Sequence, residues 1–222
     1  MSLTREQIQS GWVQQMAREA GSSFLALSDE ELAASRHAVL AKAPSKNIWI
    51  FGYGSLIWNP AFHFVERRIG TVHGWHRRFC LWTTLGRGSP DCPGLMLGLD
   101  RGGSCRGVLL RIAPEMIESE TDVLWRREMV SNAYVPTWVR AATEHGGIAA
   151  IAFIINRTHD RYAQKMPEEK TADVIARAAG RIGPCRDYLL NTVDHLNRLG
   201  IEDRSMRRLA AKVRRRIPGA SS

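Results

Sequence analysis

The chain has 222 residues, of which 44% are hydrophobic, and its formal net charge at pH 7 is +9. Such a composition supports one well-packed domain with an extension and excludes a disordered chain. No apolar run approaches the roughly 18 residues that a transmembrane helix needs. Residues 1–20 also lack the central apolar stretch of a secretory signal. We therefore expect a cytosolic protein without a membrane contact.

The positive charge is concentrated at the C-terminal end. Residues 201–222 contain seven basic and two acidic side chains, so the preceding chain is closer to neutral. Basic tails either bind nucleic acid or simply aid solubility. The sequence shows no RNP-like aromatic motif, KH loop or zinc knuckle, which disfavours a nucleic-acid partner.

The four cysteines are Cys80, Cys92, Cys105 and Cys185. None of them forms a C-x-x-C pair or lies near histidines at zinc spacing. We expect free thiols, as in a reducing compartment, and no metal site.

The first 46 residues are predicted to form a helical N-terminal extension. Thr4–Gln7 and Ser28–Glu31 both match the capping box that starts a helix. The helices are expected over about 5–19 and 29–41, and residues 42–47 are interpreted as a linker.

From Ile48 onwards the pattern is that of β-strands. Residues 48–51 form a continuous apolar run ended by Gly52, which is typical of a strand buried on both faces. Further short strands are predicted over 64–72, 79–84, 95–99, 105–112, 137–142 and 148–155, with glycine-rich segments such as Gly102–Gly103 as turns. Helices are predicted over about 115–130, 168–179, 185–199 and 203–215.

This order of elements indicates an α+β fold, because the strands follow one another and the helices flank them. We expect a mixed, partly closed β-sheet or barrel flanked by helices. The predicted divisions are a helical extension (1–46), the main domain (47–203) and a basic C-terminal tail (204–222).

The first candidate site is the glycine loop after the first strand. It has neither the third glycine of a dinucleotide fingerprint nor the Gly-Lys-Ser/Thr of a P-loop. Gly52 and Gly54 permit backbone angles that are closed to other residues, and successive N–H groups then form an anion-binding nest. Tyr53 and Ser55 add hydroxyl groups. An ordinary tight turn with a packed tyrosine is an equally open interpretation.

The second candidate is Glu128. Helical spacing places it on one face with Ile117, Thr121 and Leu124, whereas its neighbour Arg127 is expected to project elsewhere. A carboxylate on the inner face has a raised pKa, which suits a general base. In the alternative, the helix is rotated, Trp125 and Met129 fill the core and Glu128 pairs with a surface arginine.

Several blocks of this sequence, in order over about residues 47–203, resemble the ChaC family of glutathione-specific γ-glutamylcyclotransferases. The first is FGYGSLIW at 51–58, followed by Arg77–Phe79 with the RGSP of 87–90, and by CRGV at 105–108. Arg127–Glu128 with Tyr134 resembles the block of the catalytic glutamate, and CRDYLLNT at 185–192 resembles the C-terminal helix. One departure is Asn132–Ala133, where the family often has Gly-Gly.

The resemblance implies a γ-glutamylcyclotransferase-like domain and an intramolecular reaction. In this family the α-amine of the substrate attacks its own γ-carbonyl, which forms 5-oxoproline and releases Cys-Gly from glutathione. Glu128 then corresponds to the proton-transfer residue. The implied substrate-binding residues are Ile50, Phe51, Gly52, Tyr53, Gly54, Ser55 and Tyr134. No cofactor is expected, because the nucleophile and the electrophile belong to one molecule.

Two other interpretations stay open. The same fold acts on another γ-glutamyl compound, such as a γ-glutamyl amine or amino acid, if the loop contacts only the γ-glutamyl end. In the other, the basic tail serves a nucleic-acid-associated protein.

Overall fold

Five strands close into a β-barrel in the computed structural model, which describes residues 3–19 and 26–217. The strands are β1 (Trp49–Gly52), β2 (Glu66–Thr83), β3 (Gly94–Arg111), β4 (Tyr134–Thr143) and β5 (Gly146–Ile155), and a small hairpin is formed by β6 (Ala179–Gly180) and β7 (Gly183–Pro184). The helices are α1 (Arg5–Gln9), α2 (Trp12–Glu19), α3 (Asp29–Leu40), α4 (Ile117–Glu128), α5 (Glu168–Arg177), α6 (Cys185–Arg198) and α7 (Arg204–Arg214). The expected α+β fold with a partly closed, flanked sheet is confirmed.

Strand β1 lies between β3 and β5 in the barrel. It pairs antiparallel with β3 and parallel with β5, where Ile50 is opposite Ile151. All four of its residues are buried, as the continuous apolar run predicts. Phe51 packs with residues of α5, α6 and α7, whereas Ile50 packs with residues of α1, α3 and α4. The strand therefore fixes the position at which the chain leaves the barrel, at Tyr53.

Strands β2 and β3 are each 18 residues long, where the sequence predicts two pairs of short strands. The two strands pair almost throughout, with irregularities between His73 and Trp75 and between Phe79 and Leu81. Gly102 and Gly103 have positive φ angles within β3. In this protein such glycines bend a long hairpin instead of ending a strand. The prediction of separate strands was wrong for that reason.

The N-terminal extension packs on helix α4. Both predicted capping boxes are present, at Thr4 and Ser28. The first helix is interrupted at Gly11, whose φ is +74°, so it forms α1 and α2 instead of one helix. Arg5 makes a two-pronged ion pair with Glu120, at 2.6 and 2.8 Å. Since Glu120 is fully buried, this pair ties the extension to the barrel domain.

The basic C-terminal segment forms a packed amphipathic helix. Helix α7 buries Met206, Leu209, Ala210 and Val213. On its other side Arg208 pairs with Glu168 at 2.7 Å, and Arg216 pairs with Asp173 at 2.6 Å. Acidic groups of α5 therefore neutralise part of the charge that the sequence concentrates here. Among the described residues, no helix is both long and apolar enough to cross a membrane.

Candidate active site

A cleft opens where the chain leaves β1 and where α4 ends. Its loop end is lined by Tyr53, Gly54 and Leu56. Its far end is lined by Val13, Met16, Leu85, Val130, Ser131 and Ile182. Between the two ends lie Ser55, Arg127, Glu128, Tyr134, Arg161 and Tyr188, which line both parts. Among the described residues, its charged lining consists of one carboxylate, Glu128, and the guanidinium groups of Arg87, Arg127 and Arg161.

Glu128 is the last residue of α4, and its side chain is 16% exposed. Burial raises the pKa of this carboxyl group, although the charge of Arg127 and a hydrogen bond from it oppose part of the change. Leu124, Trp125 and Met129 are all buried beside it. The helix thus satisfies both proposed packings at once, and Glu128 faces the cleft between them.

Arg127 holds Glu128 against the glycine loop. Its Nε lies 3.0 Å from Oε1 of Glu128, and its Nη2 donates to Ser55 Oγ at 2.9 Å. Nη1 donates to the carbonyl oxygens of Asn59 and Pro60. The side chain is only 6% exposed. The expectation that Arg127 projects elsewhere was wrong, because α4 ends at this point and the arginine folds back across the cleft.

Three tyrosines lie near the Glu128 carboxylate, and the hydroxyl groups of two of them donate hydrogen bonds to backbone carbonyl oxygens. Tyr53 donates to the carbonyl oxygen of Phe153 and Tyr134 donates to that of Leu97, both at 2.6 Å. Burial raises the pKa of both phenols well above the ordinary value. Burial and the charge of Glu128 also raise the pKa of Tyr188, while the Ser55 backbone and side chain hydrogen-bond to its hydroxyl. All three phenols therefore stay neutral at physiological pH.

The glycine loop is shaped by close packing. The positive-φ glycines of the described residues do not include Gly52 or Gly54, so a left-handed φ is not the reason for either. A Cβ on Gly54 would lie 2.7 Å from the Tyr188 hydroxyl, and one on Gly52 would lie 3.0 Å from Val108 Cγ2. Arg77 donates to the Tyr53 carbonyl at 2.8 Å and fixes the loop from behind.

No group of three or more His, Cys, Asp or Glu within residues 3–19 and 26–217 is arranged to hold a metal ion. The four cysteines are free thiols. Burial raises the pKa of Cys80 to about 12 and that of Cys185 to about 11. The titratable groups of the cleft are thus the glutamate, the arginines and the tyrosines.

Residues 48–216 match the family of ChaC-like proteins. This chain belongs to that family. A glutathione-specific γ-glutamylcyclotransferase of Escherichia coli (strain K12) is 42% identical over 190 residues, which cover 85% of this chain and 82% of that protein. The glutathione-specific γ-glutamylcyclotransferase 1 of Mus musculus is 34% identical over 158 residues, 69% of this chain and 71% of the mouse protein. The resemblance stated from the motifs is confirmed.

A solved structure supports the fold of this ChaC protein. The selenomethionine-labelled yeast γ-glutamylcyclotransferase specific to glutathione superposes with a TM-score of 0.73. It is 22% identical, and the superposition covers 78% of this chain and 98% of the yeast chain. At this identity the similarity establishes the architecture alone.

The sequence-predicted site residues of the ChaC protein fall into two groups. Tyr53, Gly54, Ser55, Glu128 and Tyr134 all line the cleft. Ile50, Phe51 and Gly52 lie within β1, and the two side chains are fully buried in the core. Their backbones are paired with β3. None of these three residues is in the lining of the cleft. Their binding of a substrate stays a prediction.

Among the side chains of the cleft that sequence reasoning missed are Tyr188, Arg161 and Met16. Tyr188 stands inside the CRDYLLNT block, but helical periodicity alone makes it a core residue. Arg161 follows β5 in an irregular segment, and no pattern distinguished it. The third, Met16 of the N-terminal extension, lies outside the region of family resemblance. Only an ordered three-dimensional arrangement brings these residues together with Glu128.

Proposed function

We propose that this ChaC protein is a glutathione-specific γ-glutamylcyclotransferase that converts glutathione into 5-oxoproline and Cys-Gly. The relatives from Escherichia coli and mouse carry this activity in their names. They match most of this chain, and the ordered motifs fit. The observation that carries the proposal is Glu128, a carboxylate of raised pKa that faces the cleft beside the glycine loop.

The reaction forms one bond and breaks one. The α-amine nitrogen of the γ-glutamyl residue bonds to the γ-carbonyl carbon, and the amide bond from that carbon to the departing amine breaks. Glu128 takes a proton from the α-ammonium group, which frees the lone pair for attack. The same nitrogen loses a second proton as it becomes the amide N–H of 5-oxoproline. The departing amide nitrogen gains two protons and leaves as an ammonium group, so no net proton is gained or lost. No redox partner enters this balance.

The chain's other residues bind and orient. Gly54 and Ser55 form the wall that faces the γ-glutamyl part, and Tyr188 limits the space opposite Gly54. Arg127 keeps the carboxylate of Glu128 aimed at the cleft through its bonds to Ser55 and Asn59. A folded, near-attack conformation of the γ-glutamyl residue supplies much of the rate enhancement in such an intramolecular reaction.

Two finer points belong to the same proposal. Glutathione is a small cytosolic thiol peptide, which agrees with the cytosolic location and free cysteines expected from the sequence. A main function in nucleic-acid binding is disfavoured, because Arg208 of the basic helix α7 and Arg216 just beyond its end pair with acidic groups of α5. Action on other γ-glutamyl amino acids or amines is the rival to be tested.

The deciding experiment is a product assay with purified protein. Glutathione, γ-glutamyl-alanine and γ-glutamyl-lysine are incubated separately, and products are identified by mass. We expect 5-oxoproline and Cys-Gly from glutathione, with and without EDTA. Free glutamate in place of 5-oxoproline means hydrolysis and overturns the cyclotransferase assignment. Faster turnover of the other two substrates overturns glutathione as the preferred substrate.

A further inference from the structure

The far end of the cleft has no role in the chemistry at Glu128, yet it is continuous with it. Its walls are largely apolar, and Val13 and Met16 of helix α2 contribute to them. A substrate whose γ-glutamyl residue lies at the loop end would extend its departing peptide along this surface. The N-terminal extension thereby becomes part of the surface that such a peptide contacts.

Arg161 stands where the two parts of the cleft meet. Its side chain lines both, and its Nη2 donates to Ser131 Oγ at 2.6 Å. Ser131 lines the far end only. The same hydroxyl accepts from the backbone N–H of Ala133 at 3.3 Å, so the segment that leads to Tyr134 is joined to the guanidinium. This end of Arg161 is therefore held toward the far end.

The cleft contains guanidinium groups that suit the carboxylates of a peptide. Arg127 is paired with Glu128, and Arg87 and Arg161 also line the cleft, with Asp187 as an acidic neighbour of Arg87. Glutathione carries two carboxylates and one ammonium group, the latter assigned to Glu128. A guanidinium binds a carboxylate through two parallel hydrogen bonds, and the bond is stronger where water is scarce. Burial lowers the pKa of Arg161 to about 10, which still leaves it charged at neutral pH.

Resting on the proposed function, we propose that Arg161 binds the carboxylate at the free end of the departing peptide and so sets the preference for glutathione. The γ-glutamyl end is shared by all γ-glutamyl compounds and gives no selectivity among them. A guanidinium at the far end strengthens the binding of a substrate whose departing group ends in a carboxylate. It therefore discriminates against γ-glutamyl amines, which lack one.

The test compares glutathione with its glycinamide analogue, γ-glutamyl-cysteinyl-glycinamide, by 5-oxoproline release. Wild-type enzyme should prefer glutathione by about 10- to 100-fold in kcat/KM, the range of a charge-assisted hydrogen bond in a partly buried site. The difference should lie mainly in KM, because the reacting atoms are unchanged. Arg161→Gln should lose a similar factor on glutathione and almost nothing on the glycinamide.

Two further variants complete the design. Arg161→Lys keeps the charge without the two-pronged geometry and should recover part of the preference. Arg181→Gln removes an arginine whose side chain is 59% exposed and pairs with Glu19, and it should change neither substrate. A third substrate, glutathione with its γ-glutamyl α-carboxylate converted to the amide, tests the other carboxylate.

The outcomes separate the two proposals. If wild-type enzyme releases no 5-oxoproline from glutathione, the proposed function fails. If it does so but treats glutathione and the glycinamide alike, only the assignment of Arg161 fails. A penalty in Arg161→Gln or Arg161→Lys that persists on the glycinamide and disappears on the α-amide assigns the arginine to the other carboxylate and also overturns the proposal.

Discussion

Two carboxylates largely withdrawn from water, Glu128 and Asp100, have pKa values that are shifted in opposite directions. Asp100 is 1% exposed, and it accepts hydrogen bonds from Arg157 at 2.7 Å, Arg78 at 2.6 Å and Tyr162 at 3.0 Å. The N–H of Arg101 adds another. Burial alone raises the pKa of Asp100, but the hydrogen bonds from Arg157 and Arg78 outweigh it and hold the pKa well below the ordinary value.

Glu128 has one cationic neighbour, Arg127, which also bonds to Ser55, Asn59 and Pro60. The charge of Arg127 and its hydrogen bond therefore offset only part of the effect of burial, and the pKa of Glu128 is raised. The comparison indicates that the number of donors, and not burial itself, decides whether the pKa of a buried carboxyl group is raised or lowered. Glu120 supports this conclusion: burial opposes ionisation there as well, yet bonds from Arg5 and the His63 N–H lower its pKa.

The largest expected effect is that of Glu128→Gln. Glutamine has nearly the same shape, so packing should persist, but it cannot accept a proton from the α-ammonium group. A positioned general base contributes about 10²–10⁴-fold in rate, and we expect kcat to fall at least that far while KM changes less. The measurement is steady-state 5-oxoproline release, with the melting temperature taken on the same preparation.

The control for this substitution lies on the same helix. Glu118 pairs with Arg36, but its side chain is 70% exposed, and Glu118→Gln should leave kcat unchanged. A Glu128→Gln enzyme that keeps more than about a tenth of the wild-type kcat, well above the largest residual activity of about a hundredth expected after removal of a general base, would remove Glu128 from its assigned role.

Asp100→Asn should give the reverse pattern, a loss of stability without a loss of catalysis. The substitution removes the charge that Arg78 and Tyr162 contact. Since Arg157 is nearly half exposed, water compensates part of the loss, and we expect about 1–3 kcal/mol of destabilisation. At about 2–4 °C per kcal/mol for a chain of this size, the melting temperature should fall by several degrees. A fall in kcat without a fall in melting temperature would contradict the distinction drawn here.

Much of this architecture could be predicted from local signals. The apolar run before Gly52 identified a central strand, and the capping residues Thr4 and Ser28 located two helix starts. The long β2–β3 hairpin could not be predicted, because Gly102 and Gly103 are equally consistent with a turn and with a bend. Which of the two occurs depends on pairing with a distant strand.

For the candidate site, the feature that the sequence could not predict was the direction of side chains at the end of helix α4. Helical periodicity placed Glu128 on the inner face, but it does not predict how a long side chain in the last turn of the helix folds. Arg127 folds back over the cleft because its partners, Ser55 and Asn59, come from a loop about 70 residues earlier in the chain. Arg161 and Met16 likewise reach the cleft through tertiary packing alone.

The pH dependence should separate the two carboxylates again, with a smaller effect. On acidification, kcat/KM should decline with an apparent pKa above 4.5, the ordinary value for a glutamic acid, because Glu128 is the group of raised pKa. Protonation of Glu128 does not weaken the fold, since burial favours its neutral form. Asp100 stabilises the fold above its unfolded pKa of about 3.9, and this contribution is lost only as the pH falls toward its lower folded value.

Activity should therefore be lost at a higher pH than structure. Rates and near-ultraviolet circular dichroism are measured across one buffer series, with Glu128→Gln as the control whose residual rate lacks the acid limb. If the loss of activity coincides with unfolding, the acid limb reports the fold and not Glu128.

The smallest expected effects come from the two glycines of the loop, compared as Gly54→Ala and Gly52→Ala. A methyl group on Gly54 meets the Tyr188 hydroxyl at 2.7 Å, and Tyr188 must move within the cleft. A methyl group on Gly52 meets Val108 Cγ2 at 3.0 Å and Leu56 Cβ at 3.1 Å, which are buried side chains of the core. The first change directly alters the shape of the proposed binding surface, whereas the second acts first on core packing and reaches the cleft only through Leu56.

The two variants should consequently differ in which quantity changes. Displacing a side chain from its rotamer costs about 0.5–1.5 kcal/mol, so Gly54→Ala should raise KM by up to about tenfold while melting near the wild-type temperature. Gly52→Ala, which overpacks the core, should cost about 1–3 kcal/mol of stability and change KM less than Gly54→Ala does. An unaltered KM in folded Gly54→Ala would show that the loop is only a turn and that Tyr188 takes no part in shaping the site. A raised KM in both variants would mean that the end of β1, including the Gly52 backbone, contributes to substrate binding. The sequence motif implies such a contribution from Ile50, Phe51 and Gly52.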